Sequence, residues 1–184
     1  MERHVLSHFG VIQSLLIGLV WLLPGLQALH AQSPGVPFSI QLIVPVSNPQ
    51  GDREIALDRY PQLHVLLTNQ SQQTQRLWKD WNTWGYFNLS LEWEAAGKTF
   101  PIVRQTPKAW DGDFPDYWSV APGETVVLVV DMSSRQWKGF PDLYGEKVPA
   151  TLKATYVNKP DELATAFDVW VGKVETPKIP VVFK

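Results

Sequence analysis

The chain contains no cysteine. That absence excludes disulfides, thiolate nucleophiles, cysteine-bound zinc and an acylated lipoprotein cysteine. Histidine is nearly as scarce. Of the four in 184 residues, His4, His8 and His30 come before position 31 and only His64 follows, so no multi-histidine metal site can form in residues 32–184. His64 sits in "PQLHVLLTN", where Leu63, Val65 and Leu67 alternate with His64 and Leu66. It reads as a sheet-face histidine, because no serine-rich elbow or orienting motif accompanies it to make a catalytic base. A surplus of one charge is also missing: sixteen Lys plus Arg stand against eighteen Asp plus Glu, a net charge of −2, and no basic run stands out. The sequence therefore gives no sign of a nucleic-acid or anionic-membrane patch.

The only long apolar run is at the N terminus. Arg3 precedes "LLIGLVWLL" (Leu15–Leu23), then Pro24 and Gly25, then "QALHAQS" with Ala31 at a cleavage position. This layout predicts a secretory signal peptide over 1–31 and a single domain over 32–184, located in the periplasm or outside the cell. A spanning helix needs about 20 mostly apolar residues, a length reached here only by including Gln13 and Ser14. An uncleaved anchor is the alternative; after cleavage no stable membrane insertion is expected. One base and one acid leave with the signal peptide, so the net charge stays at −2. A domain of this size can be held by its core without disulfides.

What is present is strand after strand, with turn signals between. "FSIQLIVPV" (38–46) reads as the first, followed by a short piece near "REIAL" and then "LHVLLTN" (63–69). Tyr86 to Glu94 alternates most cleanly: Phe87, Leu89, Leu91 and Trp93 fall on one face, Asn88, Ser90, Glu92 and Glu94 on the other. Gly97 marks a hairpin into "KTFPIVR". "APGETVVLVVDM" gives a Pro-Gly turn and a continuous apolar strand from Val126 to Val130, and "ATLKATYV", "AFDVWVGKV" and "IPVVFK" complete the set. No helical pattern exceeds two turns and no repeat is found. The pattern predicts an all-β fold, an immunoglobulin-like antiparallel β-sandwich of eight or nine strands, with a barrel as the alternative.

Tryptophan is abundant, nine in all, and "RLWKDWNTWGYFNLSLEWE" places Trp78, Trp81, Trp84 and Trp93 within nineteen residues. If successive strands run antiparallel, the connections 70–85 and 105–123 emerge at one end of the sandwich, and the Gly97 hairpin and connection 132–149 at the other. Connections of that length fold locally or bind something. Trp78, Trp81 and Trp84 are three apart, so a turn or two of helix would bring them loosely to one side. Two readings compete for this loop end. In the first, Trp78, Trp81, Trp84, Trp110 and Trp118 offer stacking area and Asp80, Asn82, Asp111, Asp113 and Asp116 offer acceptors to a glycan or peptide. In the second, the indoles plug the open end of the sandwich. Trp93 and Trp170 lie inside strand patterns and read as core.

"WDGDFPDYW" (110–118) could gather carboxylates around calcium, but it lacks the remaining ligands of an EF-hand loop, and Asp-Gly is an ordinary turn former; no metal or cofactor is expected. A glycosidase would need two carboxylates at a few ångströms, and alternation places Glu92 and Glu94 on the solvated strand face. Asn69-Gln-Ser71 and Asn88-Leu-Ser90 match glycosylation sequons. "QWKGFPDLYGEK" (136–147) adds Trp137, Phe140 and Tyr144 as a lid under a long loop or an interaction edge.

"NTWGYFNLSLEWEAAGK" (82–98), "FPDYWSVAPGE" (114–124) and "VWVGKV" (169–174) resemble a pattern in a family of uncharacterised secreted bacterial β-sandwich domains, which carry N-[ST]-W-G-Y, PGE and V-W-x-G motifs over a span like 60–176 here. The resemblance implies the domain and no particular activity. A looser similarity links "LTN", the hairpin and PGE to immunoglobulin-like bacterial proteinase inhibitor domains. The expected function is a secreted, non-catalytic module binding a protein partner through a sheet edge or the loop end. Carbohydrate binding through the loop tryptophans is the alternative, and a hydrolase the third.

Overall fold

A computed structural model describes residues 35–46, 53–59, 61–108, 114–132, 136–142 and 146–184. The signal segment, Trp110, Asp111, Asp113 and Tyr144 lie outside the described residues. In chain order the first half comprises β1 (Phe38–Ile43), β2 (Glu54–Ile55), β3 (Gln62–Asn69), β4 (Gln75–Trp78), α1 (Thr83–Tyr86), β5 (Leu89–Ala95) and β6 (Lys98–Arg104). The second half comprises β7 (Tyr117–Val120), β8 (Thr125–Asp131), β9 (Trp137–Lys138), β10 (Val148–Asn158), α2 (Glu162–Ala166), β11 (Gly172–Glu175) and β12 (Ile179–Phe183). The domain is all-β, and its strands pair antiparallel except for β2 with β12.

Three sheets form. The order β1-β3-β8 makes the smaller main sheet, and β2-β12-β10-β5-β6-β9, with β11 also on β10, makes the larger. β4 and β7 pair by themselves. Alternation sends Leu63, Val65, Leu67, Leu128 and Val130 of the small sheet, and Leu91, Ile102, Leu152 and Phe183 of the large one, into one buried cluster. The architecture is therefore sandwich-like, with the core between two sheets. A second, smaller cluster of Trp78, Ala164 and Val169 ties β4 to the α2 region.

Local chemistry accounts for most elements. Leu89, Leu91 and Trp93 are buried in β5 and face Tyr156, Ala154 and Leu152 of β10. The β5–β6 hairpin closes on Ala96 and Gly97, both at positive φ (50° and 74°), the backbone required by a two-residue turn that matches strand twist. Asn82 and Asp161 cap α1 and α2 by accepting hydrogen bonds from the N–H groups of Gly85 and Ala164.

The observed elements depart from the sequence reading in four places. Tyr86 and Phe87 belong to α1 and its C-terminal cap, because the Asn82 cap nucleates a turn before the alternation begins. "AFDV" ends α2 and turns through Asp168 at φ 52°, so strand resumes only at Gly172. Among the described residues the strand count rises to twelve, because both long connections fold locally into β4 and β7 and because β2 and β9 are two-residue pairings without a period to read. The Val126–Val130 run alternates after all: Leu128 and Val130 are buried, while Val127 and Val129 are exposed. Among the described residues no helix is long and apolar enough to cross a membrane.

Candidate functional site

The loop end is built on the β4–β7 pair, in which Trp78 lies opposite Tyr117 and Leu77 opposite Trp118. The two long connections therefore meet. Beyond the pair, the Lys79 N–H donates to the Asp116 carbonyl at 3.0 Å. Asn82 makes the next link: its side-chain amide donates to the same carbonyl at 2.8 Å while its side-chain oxygen caps α1.

Each predicted site residue among the described ones has a definite place. Trp78 is 1 % exposed, with rings of Trp84 and Phe167 at 6.0 and 5.7 Å. Asn82 is fully buried. Neither presents surface to a ligand. Trp84 and Trp118 are half-buried, Trp84 against the small cluster and Trp118 against the main core. Trp78, Trp81 and Trp84 share no helix, since the first is in a strand, the second in a turn and the third in α1. Trp81 points outward at 45 % exposure and meets Phe114, 56 % exposed, edge to face at 5.2 Å.

The described carboxylates of the loop end, Asp80 and Asp116, are paired with cations. Asp116 Oδ2 lies 2.6 Å from Lys79 Nζ, and this bond, helped by the Tyr117 N–H, holds its carboxyl below the usual aspartate range. Asp80 accepts twice from Arg104: at its carbonyl from Nη1 (2.6 Å) and at Oδ2 from Nη2 (2.8 Å). The Arg104 guanidinium is buried between the rings of Tyr86 and Trp137, 4.5 and 5.2 Å from their centroids. It straps the loop end to β6 and β9. Nothing in the spacing of Arg104 and Asp80 signals this role.

The quoted motifs are consumed by the fold in the same way. A side chain at Gly85 would put its Cβ 2.1 Å from the Lys79 carbonyl oxygen, and at Gly172 one would meet the Trp170 indole at 2.5 Å. Glu124 of the PGE turn accepts from the Ala121 N–H at 2.8 Å. Asn69 is buried, with its amide donating to the Gln73 and Val120 carbonyls, which closes that sequon to glycosylation in the folded chain. Among the described residues no group of three or more His, Asp or Glu side chains is arranged to hold a metal ion.

Two surfaces stand out elsewhere. At the opposite end, a cavity of about 610 Å³ opens between Phe100, Pro101 and Val103 of β6 and the segment Lys138–Asp142, with Trp93 and Val148 completing it. Phe100 lies flat on Trp93, centroids 4.3 Å apart, and the Trp93 indole N–H donates to the Gly139 carbonyl. The size suits a small ligand or a single large side chain. The other surface is the outer face of β1-β3-β8. In register across it run Gln41, Leu66 and Val127, and beside them Ile43, His64 and Val129. Val127 and Val129 are 51 % and 40 % exposed. The sequence signal was the unbroken apolar run of β8, which a strand buried on both faces produces equally well. Searches against family models, curated proteins and solved structures find no match to this chain.

Proposed function

We propose that this chain is an exported, non-catalytic binding module of the immunoglobulin-like sandwich type, acting through protein–protein contact in the periplasm or outside the cell. The observation that carries the reading is the outer face of β1-β3-β8. Ile43, Leu66, Val127 and Val129 form a contiguous apolar surface around His64 on a three-stranded sheet. Contiguous exposed apolar surface of this kind marks interaction sites on stable domains. A non-catalytic role is supported by the four carboxylates considered for chemistry that lie among the described residues, each committed to a cation: Asp80 to Arg104, Asp116 to Lys79, Glu92 to Lys153 and Glu94 to Lys178.

The test is site-specific photo-crosslinking in the producing cell, with the reactive side chain placed at position 127, 129 or 81. Adducts with protein from 127 and 129 are expected. Adducts from 81 alone, or none from the sheet, would overturn the reading. Carbohydrate binding is the second reading, favoured by the exposed pair of Trp81 and Phe114. It requires that a glycan protect Trp81 from iodide quenching and that Trp81→Ala abolish the effect.

A further inference from the structure

β8 is the outermost strand of its sheet, and among the described residues no strand pairs with its far side. The direction of its main-chain groups follows from the hydrogen bonds at its two ends. The Asn69 N–H donates to the Glu124 carbonyl at 2.9 Å, and the Met132 N–H to the Pro61 carbonyl at 3.1 Å. Alternation between these points turns Val126, Leu128 and Val130 toward β3, and aims the N–H and C=O groups of Thr125, Val127 and Val129 at the open edge.

Most other edges are shorter or interrupted: β4, β7 and β11 have four residues each, and β12 contains Pro180 and pairs with β2. β6 turns Pro101, which has no N–H, outward. β2 and β9 are two residues long. β1, the other outer strand of the small sheet, has six residues and β11 alongside it, and the ring of its Phe38 packs 5.3 Å from that of Trp170. β8 has seven residues, no proline, no glycine and one charge, Asp131. An apolar edge so undefended pairs with another strand.

The sequence of β8 selects the partner. "TVVLVVD" is nearly symmetric about Leu128. In a two-fold antiparallel pairing about that residue, Val127 faces Val129 of the second copy, Val126 faces Val130, Leu128 faces Leu128, and Thr125 faces Asp131. Val127 and Val129 are the residues whose main-chain groups point outward, so the central pairs form closed hydrogen-bonded rings. Charge fixes the direction. Antiparallel pairing separates the two Asp131 residues by about 20 Å, beyond the screening length, whereas parallel pairing would set them about 5 Å apart. The apolar rows of the outer face also join into one band across both copies.

We propose that two copies of this chain associate through β8, antiparallel about Leu128, to make a continuous six-stranded sheet. The inference rests on the protein-contact reading of this face and names the partner. Its test uses the absence of cysteine in the full chain: Val127→Cys and Val129→Cys introduce single thiols on exposed positions. A mixture of the two variants is expected to form a disulfide-linked dimer on mild oxidation, and each variant alone is not, because 127 faces 129 and not itself. Sedimentation of the native chain is expected to show a reversible dimer, and Val127→Lys/Val129→Lys, which sets lysine opposite lysine, to weaken it about tenfold or more while leaving the circular dichroism spectrum unchanged. A chain that stays monomeric, or thiols that crosslink without regard to position, overturns the pairing. If the monomer instead crosslinks through position 127 to a different protein, the second copy is wrong and the protein-contact reading stands; if nothing is captured, both fall.

Discussion

Trp78 and Trp81 stand three positions apart and do opposite things. Trp78 fills the small cluster with Phe167, Ala164 and Val169, while Trp81 lies on the surface against Phe114. Trp78→Ala is expected to lower stability by about 3–5 kcal/mol, the range for truncating a buried tryptophan, and Trp81→Ala by about 0.5 kcal/mol or less. Urea unfolding of the two variants measures the difference directly. Trp78→Phe should lose less than the alanine variant, because the buried Trp78 Nε1 has no hydrogen-bond partner among the described residues and phenylalanine removes that group. Arg104 is the other residue on which the loop end depends. Arg104→Ala leaves Asp80 without its fork of donors and Tyr86 and Trp137 without the cation between them, at an expected loss of about 3 kcal/mol. Lysine is a poor substitute, since an ammonium cannot reach the carbonyl and carboxylate together as a planar fork. Double-mutant cycles with Asp80→Asn would separate the ion pair from the ring contacts.

Among the elements, the margin of the large sheet is held by electrostatics. Two-residue β2 is fastened to β12 by Val182 and Lys184 main-chain bonds, and the Glu54 carboxylate accepts from Lys184 and from Lys147. The Lys184 bond, then the Lys147 bond, hold the Glu54 carboxyl down at about 2, below its ordinary value of 4.5. A carboxyl with its pKa lowered by folding stabilises fully above the unfolded value and loses that contribution as pH falls through the folded one. The β2 clasp should therefore weaken between about pH 4.5 and 2 and be insensitive above pH 5. Protection of the Val182 and Lys184 amides, taken as exchange relative to the intrinsic rate at each pH, should fall over that range in the native chain. In Glu54→Gln that protection should already be low at neutral pH and change little on acidification. High salt should blunt the effect, because the pair is at the surface.

At the scale of the whole molecule, one buried cluster takes side chains from both main sheets, and the β4–β7 pair is attached to it through Leu77, Val120 and Trp118. The sheets cannot separate without opening that cluster. Unfolding in urea is therefore expected as a single transition, with tryptophan fluorescence and far-ultraviolet circular dichroism superimposing. An earlier fluorescence transition would mean that the loop end, where Trp78 and Trp84 report, melts on its own. The division of labour across the domain follows from the same packing: the described residues of the tryptophan-rich end are mostly occupied in holding it closed, while open apolar surface is found on the outer face of the small sheet and in the Trp93–Phe100 cavity.

Period-two alternation was enough to read β3, β5 and β10 from the residues, because a half-buried strand writes its two faces directly into the chain. The Gly97 hairpin was legible for the same local reason: its turn needs positive φ. The candidate site was legible only as composition. Whether Trp78 or Trp81 meets solvent depends on whether Phe167 or Phe114 lies opposite, and those partners are 89 and 33 positions away in the sequence. Asp80 and Asp116 resembled ligands until β6 brought Arg104 to the first and the β4–β7 pairing brought Lys79 to the second. The apolar run of β8 read as a continuous apolar strand with no polar face, and only the uncovered outer face of its sheet left Val127 and Val129 in solvent. Amino-acid order by itself determined the strands, the turns and what chemistry was excluded, all of which depend on neighbours in sequence. Which aromatics face water, which charges are paired and which edge is open were decided by tertiary structure, since burial and pairing are properties of contacts between distant parts of the chain.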